Sequence, residues 1–568
     1  YAPWADHRTF MEVSLAEYLR FIDDVLEKHD PGARLGTSGT QAASAYGGHD
    51  WWLLTDAFDF IQAYDHQDTG EMHRSFHDMI AAPWWGYGAH GSALQHQLWR
   101  RLLNNNRGAS YFSLNSLLCG DYTYTKTISE GMGTVKEFKA GLARLLHDCE
   151  ERVADVCMHY SQPSIHGVFI TGGNALFRAN RHGWIKAVED SGMQTEFVSY
   201  AQVESGALTT RMPSVFILPY SLALSDAEAA ELREYVQAGG TLVADARCGL
   251  FDEHCAPRSQ GALDELFGVT RTEVNAKAKR ISGDVTFTAS HGDCDPRDLK
   301  FACMSGDTMV NVTDDTALGT LAKTPVLIVR NVGKGRAILL NLFMDEYGKR
   351  RKTREAGSLR ELVRRVLGLG GARAFADVVA APGDRFYTVR YVKGAASYIG
   401  LLREPGTILT GGGPGSAQTG KADRDSPVQM TFAKEAYVYD LRAAKYLGKT
   451  DRVEALMAPG QCRVYSLLPY RVRAVRVSPE TRTVRPGDVV RYATKVRTRG
   501  GKPGRHVFRV DVESPDGPKP FYGTQFAADA GAGSAAFRLA LNDALGTWRL
   551  QVTDIATGTT DETTFRVR

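Results

Sequence analysis

Residues 79–116 (MIAAPWWGYGAHGSALQHQLWRRLLNNNRGASYFSLNS) constrain the fold more than any other stretch. An apolar run too short for a helix leads into Trp84, Trp85 and Tyr87, punctuated by Gly86 and Gly88. Leu94, Leu98 and Leu102 then recur every four residues with Trp99 beside them. That is the spacing of an amphipathic helix, and it stops at Asn104-Asn105-Asn106 and Gly108. ASYFSLNS resumes a strand. A βαβ unit of this kind requires a parallel sheet, and sites in such sheets lie where the strands end. Trp84, Trp85, Tyr87, Asn115 and Ser116 fall at such ends. Flat aromatic faces with polar neighbours suit the apolar faces and hydroxyl rims of sugars; both tryptophans also suit the packed top of a barrel.

Upstream, residues 12–28 carry apolar side chains at helical spacing as far as Asp30-Pro31-Gly32, and ARLGTSG follows as a strand. HDWWLLTDAF reads as a short helix and FDFIQAY as a second strand ending at Tyr64-Asp65. HQDTGEMHRSFHD is a His-rich connection. Four strands separated by helical sequence make residues 1–150 half of a TIM-type (βα) barrel. Half a barrel leaves a sheet edge open, so its missing strands are expected from residues upstream of Tyr1 or from a partner chain. The chain opens on Tyr1 without a signal-peptide pattern, which reads as a processed protein or a fragment.

Residues 129–158 predict one long helix, and Pro163 marks a boundary after it. GVFITG, TEFVSY, SVFILPY and TLVADA follow as short apolar strands, separated by the amphipathic helices GWIKAVEDSG and SDAEAAELREYVQAGG. The second helix has a Ser225 cap and terminal Gly239-Gly240. PVLIVRNVGKGRAILLNLF predicts a hairpin turning at Gly333-Lys334-Gly335, and SLRELVRRVLGLGG a closing helix. Residues 165–376 are therefore an open parallel α/β domain. Residues 377–470 change to short antiparallel strands: FYTVRYV, SYIGLL, VQMTF, AYVYDL and CRVYSLL. Residues 471–568 predict an Ig-like sandwich with a turn at Pro515-Asp516-Gly517.

A formal net charge of +3 gives no global drive towards nucleic acid or membrane. No run of about twenty apolar residues occurs, so no membrane span is expected. None of the eight cysteines forms CxxC. Cys248 with Cys255, or Cys294 with Cys303, suit short disulfide loops as well as free buried thiols. Cys248 follows a parallel strand without the elbow a nucleophile needs. His73 and His77 share a helix face, but no HExxH pattern accompanies them; neither metal nor cofactor is expected.

Longer phrases carry a resemblance: HYSQPSIHG, PSVFILPYSLALSDAEAAELREYVQAGGTLVADARCGLFDEH, GKGRAILLNLF and YDLRAAKYLGKTDRVEALMAPGQCRVYSLLP. The phrases YAPWADHRTFMEVSLAEYLRF and GHDWWLLTDAFDFIQAYDHQ add to it. Together they resemble glycoside hydrolase family 42 β-galactosidases and their bacterial relatives over about residues 1–470. The resemblance implies a second half-barrel, then an amidotransferase-like trimerisation domain, then a β domain. It also implies hydrolysis of a carbohydrate by two carboxyl groups, a trimer, and a secreted or periplasmic protein. It places the proton donor before Tyr1 and the nucleophile near MIAAPWWGYG, where this sequence has no carboxylate. The nearest acids are Asp65, which ends a strand beside Tyr64, then Asp121 and Glu71. Asp65 leads as the catalytic candidate, with Tyr64, Trp84, Trp85, Tyr87 and Asn115 as substrate contacts. The alternative is a carbohydrate-binding or structural protein that retains the hydrolase fold.

One further pattern lies outside the resemblance. In VVRYATKVRTR, strand alternation aims Arg491, Lys495, Arg497 and Arg499 to one side, among many cations between Arg471 and Arg509. A one-sided cationic strip is either a solvated face or a dock for an acidic polysaccharide or an anionic cell surface.

Overall fold

The computed structural model describes residues 2–40, 42–64, 68–77, 80–81, 84–85, 89–108, 110–111, 117–149, 151–152, 154–277, 279–313, 317–352, 356–406 and 424–568. Helix α1 (Ala2–His29) is longer than its apolar spacing predicts and buries Ala5, Glu12 and Ala16. Strands β1 (Gly36–Thr40), β2 (Phe60–Ala63) and β3 (Ile80–Ala81) form one parallel sheet, and β4 (Trp84–Trp85) pairs parallel with β5 (Ser110–Tyr111). Helices α2 (Trp51–Thr55), α3 (Thr69–Phe76) and α4 (Gly91–Leu103) alternate with them. This is the parallel βα succession read from the sequence. The His-rich connection contains α3, because Met72 and Phe76 at helical spacing bury one face of it.

The long helix expected over residues 129–158 is a correction. Helix α5 (Lys126–Glu137) passes through a π turn at Phe138–Leu142, where Gly141 takes φ 128°, and α6 (Ala143–His147) ends it. After β6 (Glu151–Arg152), strand β7 (Val156–Tyr160) is buried at all five positions. Helix α7 (Gln162–Ile170) then contains the GVFI that reads as a strand in the sequence. A short apolar run does not distinguish strand from helix; the Ser161 cap and Pro163 in the first turn decide for helix. Pro163 therefore stands in the first turn of a helix.

Helix α8 (Asn174–Asp190) and strands β8 (Thr195–Ser199), β9 (Val215–Leu218) and β10 (Thr241–Ala244) follow. The sheet runs β8-β7-β9-β10, then Gly335–Leu340, all parallel, with Leu327–Val332 as an antiparallel edge. That is the flavodoxin-like order, and its crevice lies between β7 and β9, where the order reverses. The helix Asp226–Ala238 has the expected Ser225 cap, closed into a box by Glu228, and ends on Gly239 at φ 128°. Between β10 and the hairpin the chain makes an antiparallel excursion around Arg280–Phe287 and Phe301–Asp307.

Residues 376–468 form an antiparallel sheet whose far edge is β6. VQMTF and AYVYDL are one continuous strand, Ser426–Asp440, which pairs with the unanticipated Lys445–Met457. The Gly-rich stretch 407–423 lies outside the described residues. The C-terminal residues form two sheets over one core that includes Val475, Tyr492, Val496, Trp548 and Phe565. Seven cysteines, Cys248, Cys255 and Cys294 among them, are free. Two cores tie the units together: Trp51, Ile61 and Met72 join Tyr160 and Trp184, and Trp99 and Leu145 join Tyr398 and Val464.

Candidate functional site

The parallel strands of the N-terminal unit present the ends where chemistry is expected. Tyr64 follows β2 directly, and the backbone register sets Trp84 opposite Ser110 and Trp85 opposite Tyr111. Asp65, Tyr87, Asn115 and Ser116 lie outside the described residues. Glu71 is buried in the first turn of α3, where its carboxylate receives Arg74 at 2.8 Å and has Arg100 4.0 Å away. Asp121 sits in an exposed turn and accepts from the Thr123 hydroxyl (2.7 Å) and amide (3.0 Å), bonds that hold its carboxyl below the usual range. The surroundings of Glu71 are those of a structural ion pair, and those of Asp121 are those of a turn.

A denser polar constellation forms where the loop after β1 meets the ends of β7 and β8. Asp50 caps α2 by accepting from the Trp52 amide at 3.0 Å. Its other oxygen accepts from the Tyr200 hydroxyl at 2.7 Å. The Tyr160 hydroxyl lies 2.9 Å from Gln162 Oε1 and 3.3 Å from Asp50 Oδ1, and it receives the Trp51 amide at 2.9 Å. Gln162 Nε2 donates to Glu12 Oε1 (2.5 Å) and to the Ser44 carbonyl (2.9 Å). His166 Nε2 lies 3.0 Å from the same Glu12 oxygen. Two carboxyls from the N-terminal unit are thus gathered by residues at the strand ends of the α/β domain.

The electrostatics follow from burial: Asp50 is 1% exposed and Glu12 3%. Desolvation, with the charge of Glu12 adding to it, pushes Asp50 up to about 7, against the bonds from Tyr200, Trp52 and Leu53. Burial likewise pushes the Tyr160 and Tyr200 phenols up and the His49 imidazole down. The arrangement can hold a proton at neutral pH, and its side chains come from both units, which it ties together.

Sequence reasoning missed this cluster because its hydrogen-bonded partners lie up to 154 positions apart. The available signal was the Asp50 cap before WWLL. A second buried group was missed for the same reason: His159 Nδ1 lies 2.9 Å from Ser221 Oγ, and His159 Nε2 lies 2.8 Å from Glu228. It bridges the crevice between β7 and β9, and all three members are buried. Cys248 is buried too, and desolvation raises its thiol far above the reactive range.

His73 and His77 diverge. The first packs edge-on against Trp51 at 4.4 Å and is pushed down to about 3 by burial. The second lies 2.9 Å from Thr55 Oγ1 and 3.4 Å from Asp56. Among the described residues no cluster of three His, Cys, Asp or Glu that could hold a metal is found. A cleft of about 930 Å³ opens beside the end of α8, lined by Glu189, Asp190, Arg360, Arg364, Asp384 and Arg385. Its lining mixes these charged residues with Ala374, Val378, Ala380, Pro382 and Phe386.

Comparison with known proteins agrees with this architecture. Residues 172–368 match the β-galactosidase trimerisation domain. No curated protein matches the chain in sequence. Among solved structures, the β-galactosidase of Bacillus circulans sp. alkalophilus is similar with a TM-score of 0.60 and 14% identity, over 82% of this chain and 68% of that one. The β-galactosidase of Rahnella sp. R3 gives 0.57 and 11%, over 81% and 68%. The α-L-fucosidase isoenzyme 2 of Paenibacillus thiaminolyticus gives 0.54 and 15%, over 80% and 71%. At such identities the likeness is one of fold. The resemblance to family 42 β-galactosidases read from the sequence is thus shown in the middle domain and in the overall architecture.

Proposed function

We propose that this chain acts as a secreted or periplasmic glycoside hydrolase of the β-galactosidase kind, on an oligosaccharide or polysaccharide. The observation that supports it is a β-galactosidase trimerisation domain joined to parallel βα strands whose ends carry Tyr64, Trp84 and Trp85. In this reading residues 1–150 are half of a barrel, 165–376 the trimerisation domain, 377–470 a β domain and 471–568 an Ig-like sandwich. Hydrolysis needs one carboxyl as proton donor and a second as nucleophile or base. Glu71 has its charge committed to Arg74, and Asp121 to a turn, so Asp65 is the first choice. Asp65→Asn is expected to cut turnover of an aryl β-galactoside by a factor of ~100 or more with an unchanged melting temperature. Wild-type turnover in that variant would move the chemistry to Asp121. Trp84→Ala is expected to raise KM instead, because it removes stacking area and no proton donor.

A second reading is a carbohydrate-binding protein that retains the fold. It is favoured by the absence of any carboxylate from MIAAPWWGYG. Wild-type protein that binds galactosides without releasing sugar from any of them would establish it.

In either reading the chain self-associates through residues 165–376, as a trimer. Sedimentation is expected to give about three times the 62.3 kDa chain mass, and a monomer at micromolar concentration would remove this part of the proposal.

A further inference from the structure

The sheet formed by Arg471–Pro479, Val489–Arg499 and Ala532–Arg538 has one buried and one charged face. Along its middle strand Val490, Tyr492, Thr494 and Val496 are buried, whereas Arg491, Lys495, Arg497 and Arg499 are exposed. The register then sets Arg476 opposite Lys495 and Arg471 opposite Arg499. Like charges directly opposed across strands are destabilising, so the face carries a cost that folding alone does not require. One carboxylate answers it: Asp561 lies 3.2 Å from Arg476. Among the described residues no ion pair involves Arg473, Arg491, Lys495, Arg497 or Arg499. Eight cations on this one sheet, Arg538 included, exceed the formal net charge of the whole chain, +3.

The third strand leaves the face open. Ala532 stands opposite Lys495, Ser534 opposite Ala493 and Ala536 opposite Arg491, all short and exposed. Exposed positions recur every two residues, roughly 7 Å along a strand, and cations fill those from Arg491 to Arg499 except Ala493, with the neighbouring strand roughly 5 Å away. A flat grid of this pitch fits an extended polymer with repeated anionic groups, and guanidinium forks match sulfate and carboxylate oxygens in pairs. A lipid surface would call for apolar side chains among the cations, and single-stranded nucleic acid for exposed aromatic rings. The exposed large apolar residues of this unit, Phe521, Leu541 and Leu545, lie outside these three strands.

We infer that this face binds an acidic polysaccharide, one bearing sulfate or uronate groups, and holds the chain on it. The choice of a polysaccharide rests on the function proposed above; the polyanion site rests on the sheet itself.

The test uses the full chain and polymers that share one backbone: dextran sulfate, carboxymethyl dextran and neutral dextran. Both acidic polymers are expected to bind, less tightly as salt rises, and neutral dextran not to bind. Replacing Arg491, Lys495, Arg497 and Arg499 together by serine is expected to weaken binding by ~10-fold or more. These side chains are exposed, so the variant should fold. A charge-matched control replaces Lys28, Lys300, Lys334 and Lys349, which are exposed elsewhere, and is expected to change binding by less than ~2-fold. Equal weakening in the control, or equal retention on neutral dextran, would overturn the inference. So would tighter binding to duplex DNA or to phosphatidylserine vesicles than to either acidic dextran. Turnover of an aryl galactoside, read on the same preparations, separates this inference from the proposed function. Binding without turnover would leave the face and remove the hydrolase, whereas turnover without binding would do the reverse.

Discussion

Arg351→Ala is expected to lower stability by roughly 3–5 kcal/mol, among the largest effects of any single substitution in this chain. The Arg351 side chain is buried and pairs with two carboxylates at once. Its Nε donates to Asp190 at 2.9 Å, its Nη2 to the other oxygen of the same carboxylate, and its Nη1 to Glu404. Asp190 ends α8 in the α/β domain, and Glu404 follows the strand Ala396–Arg403 of the β domain. Both carboxylate side chains are sealed from solvent, at 0% and 3% exposure. Removing the guanidinium leaves two buried negative charges whose nearest remaining cations stand farther off, Arg385 at 3.7 Å and Lys352 at 4.0 Å. The desolvation of both carboxylates is then only partly compensated, by these cations and by the Tyr347 hydroxyl, which donates to Asp190 at 2.8 Å. Urea denaturation should show the loss as a lower midpoint. A triple variant, Arg351→Met with Asp190→Asn and Glu404→Gln, should recover much of it, because a neutral replacement of a buried ion group is tolerated. A loss under ~1 kcal/mol for the single variant would mean that Arg385 and Lys352 suffice.

The residues that lock the units together were the least legible in the sequence, and the reason is physical. Caps and turns are local chemistry, so Ser225 with Glu228, the terminator Gly239 and the turn at Gly333 were readable from a few neighbours each. The alternation of Arg491, Lys495, Arg497 and Arg499 was readable for the same reason, since a strand's period is two. Strand β7 was not, because VCMHY follows helical sequence with no proline or glycine to separate them and is apolar enough for either element. Lys445–Met457 was missed because its buried residues are few and irregularly spaced. Contacts such as Glu12 with His166 or Arg351 with Asp190 join residues more than 150 positions apart, and no spacing rule reaches that far. The strand ends of the N-terminal unit were legible as a place, from the βαβ pattern. The identity of the reacting groups there was not, because neither periodicity nor composition marks which carboxylate at a strand end meets a substrate.

The junction built on Asp50 is expected to loosen as pH rises from the acid range to neutrality. Burial first, and the Glu12 charge second, raise the Asp50 carboxyl from 3.8 to about 7. Around it stand Glu12 from α1, His49 beside it in the chain, Tyr160, Gln162 and His166 from the end of β7 and from α7, and Tyr200 after β8. Between the two values the unfolded chain has released the Asp50 proton and the folded one has kept it, so folding binds a proton. The stabilisation is complete below 3.8 and is lost as pH climbs to about 7. A difference of about three pH units corresponds to roughly 4 kcal/mol over that window. Imidazoles lowered by burial oppose it in overlapping ranges: His73, pushed down to about 3, His96, His147 and His182, to about 4, and His49 and His77, also pushed down. Their folded forms resist protonation, so they cost stability as pH falls below their ordinary value. Asp245, also raised to about 7 by burial, adds to the Asp50 trend. A wild-type pH profile alone therefore mixes opposing slopes, and the informative quantity is the difference from Asp50→Asn. The asparagine oxygen can still accept the Trp52 amide, so the α2 cap is retained while the titration is removed. Stability of the wild type relative to this variant should fall steadily from about pH 4 to pH 7 and be level above it, because the titrating groups remote from Asp50 are common to both proteins and cancel. A difference that stays level across that interval would show that Asp50 is already ionised in the folded chain, and that Tyr200, Trp52 and Leu53 outweigh its burial.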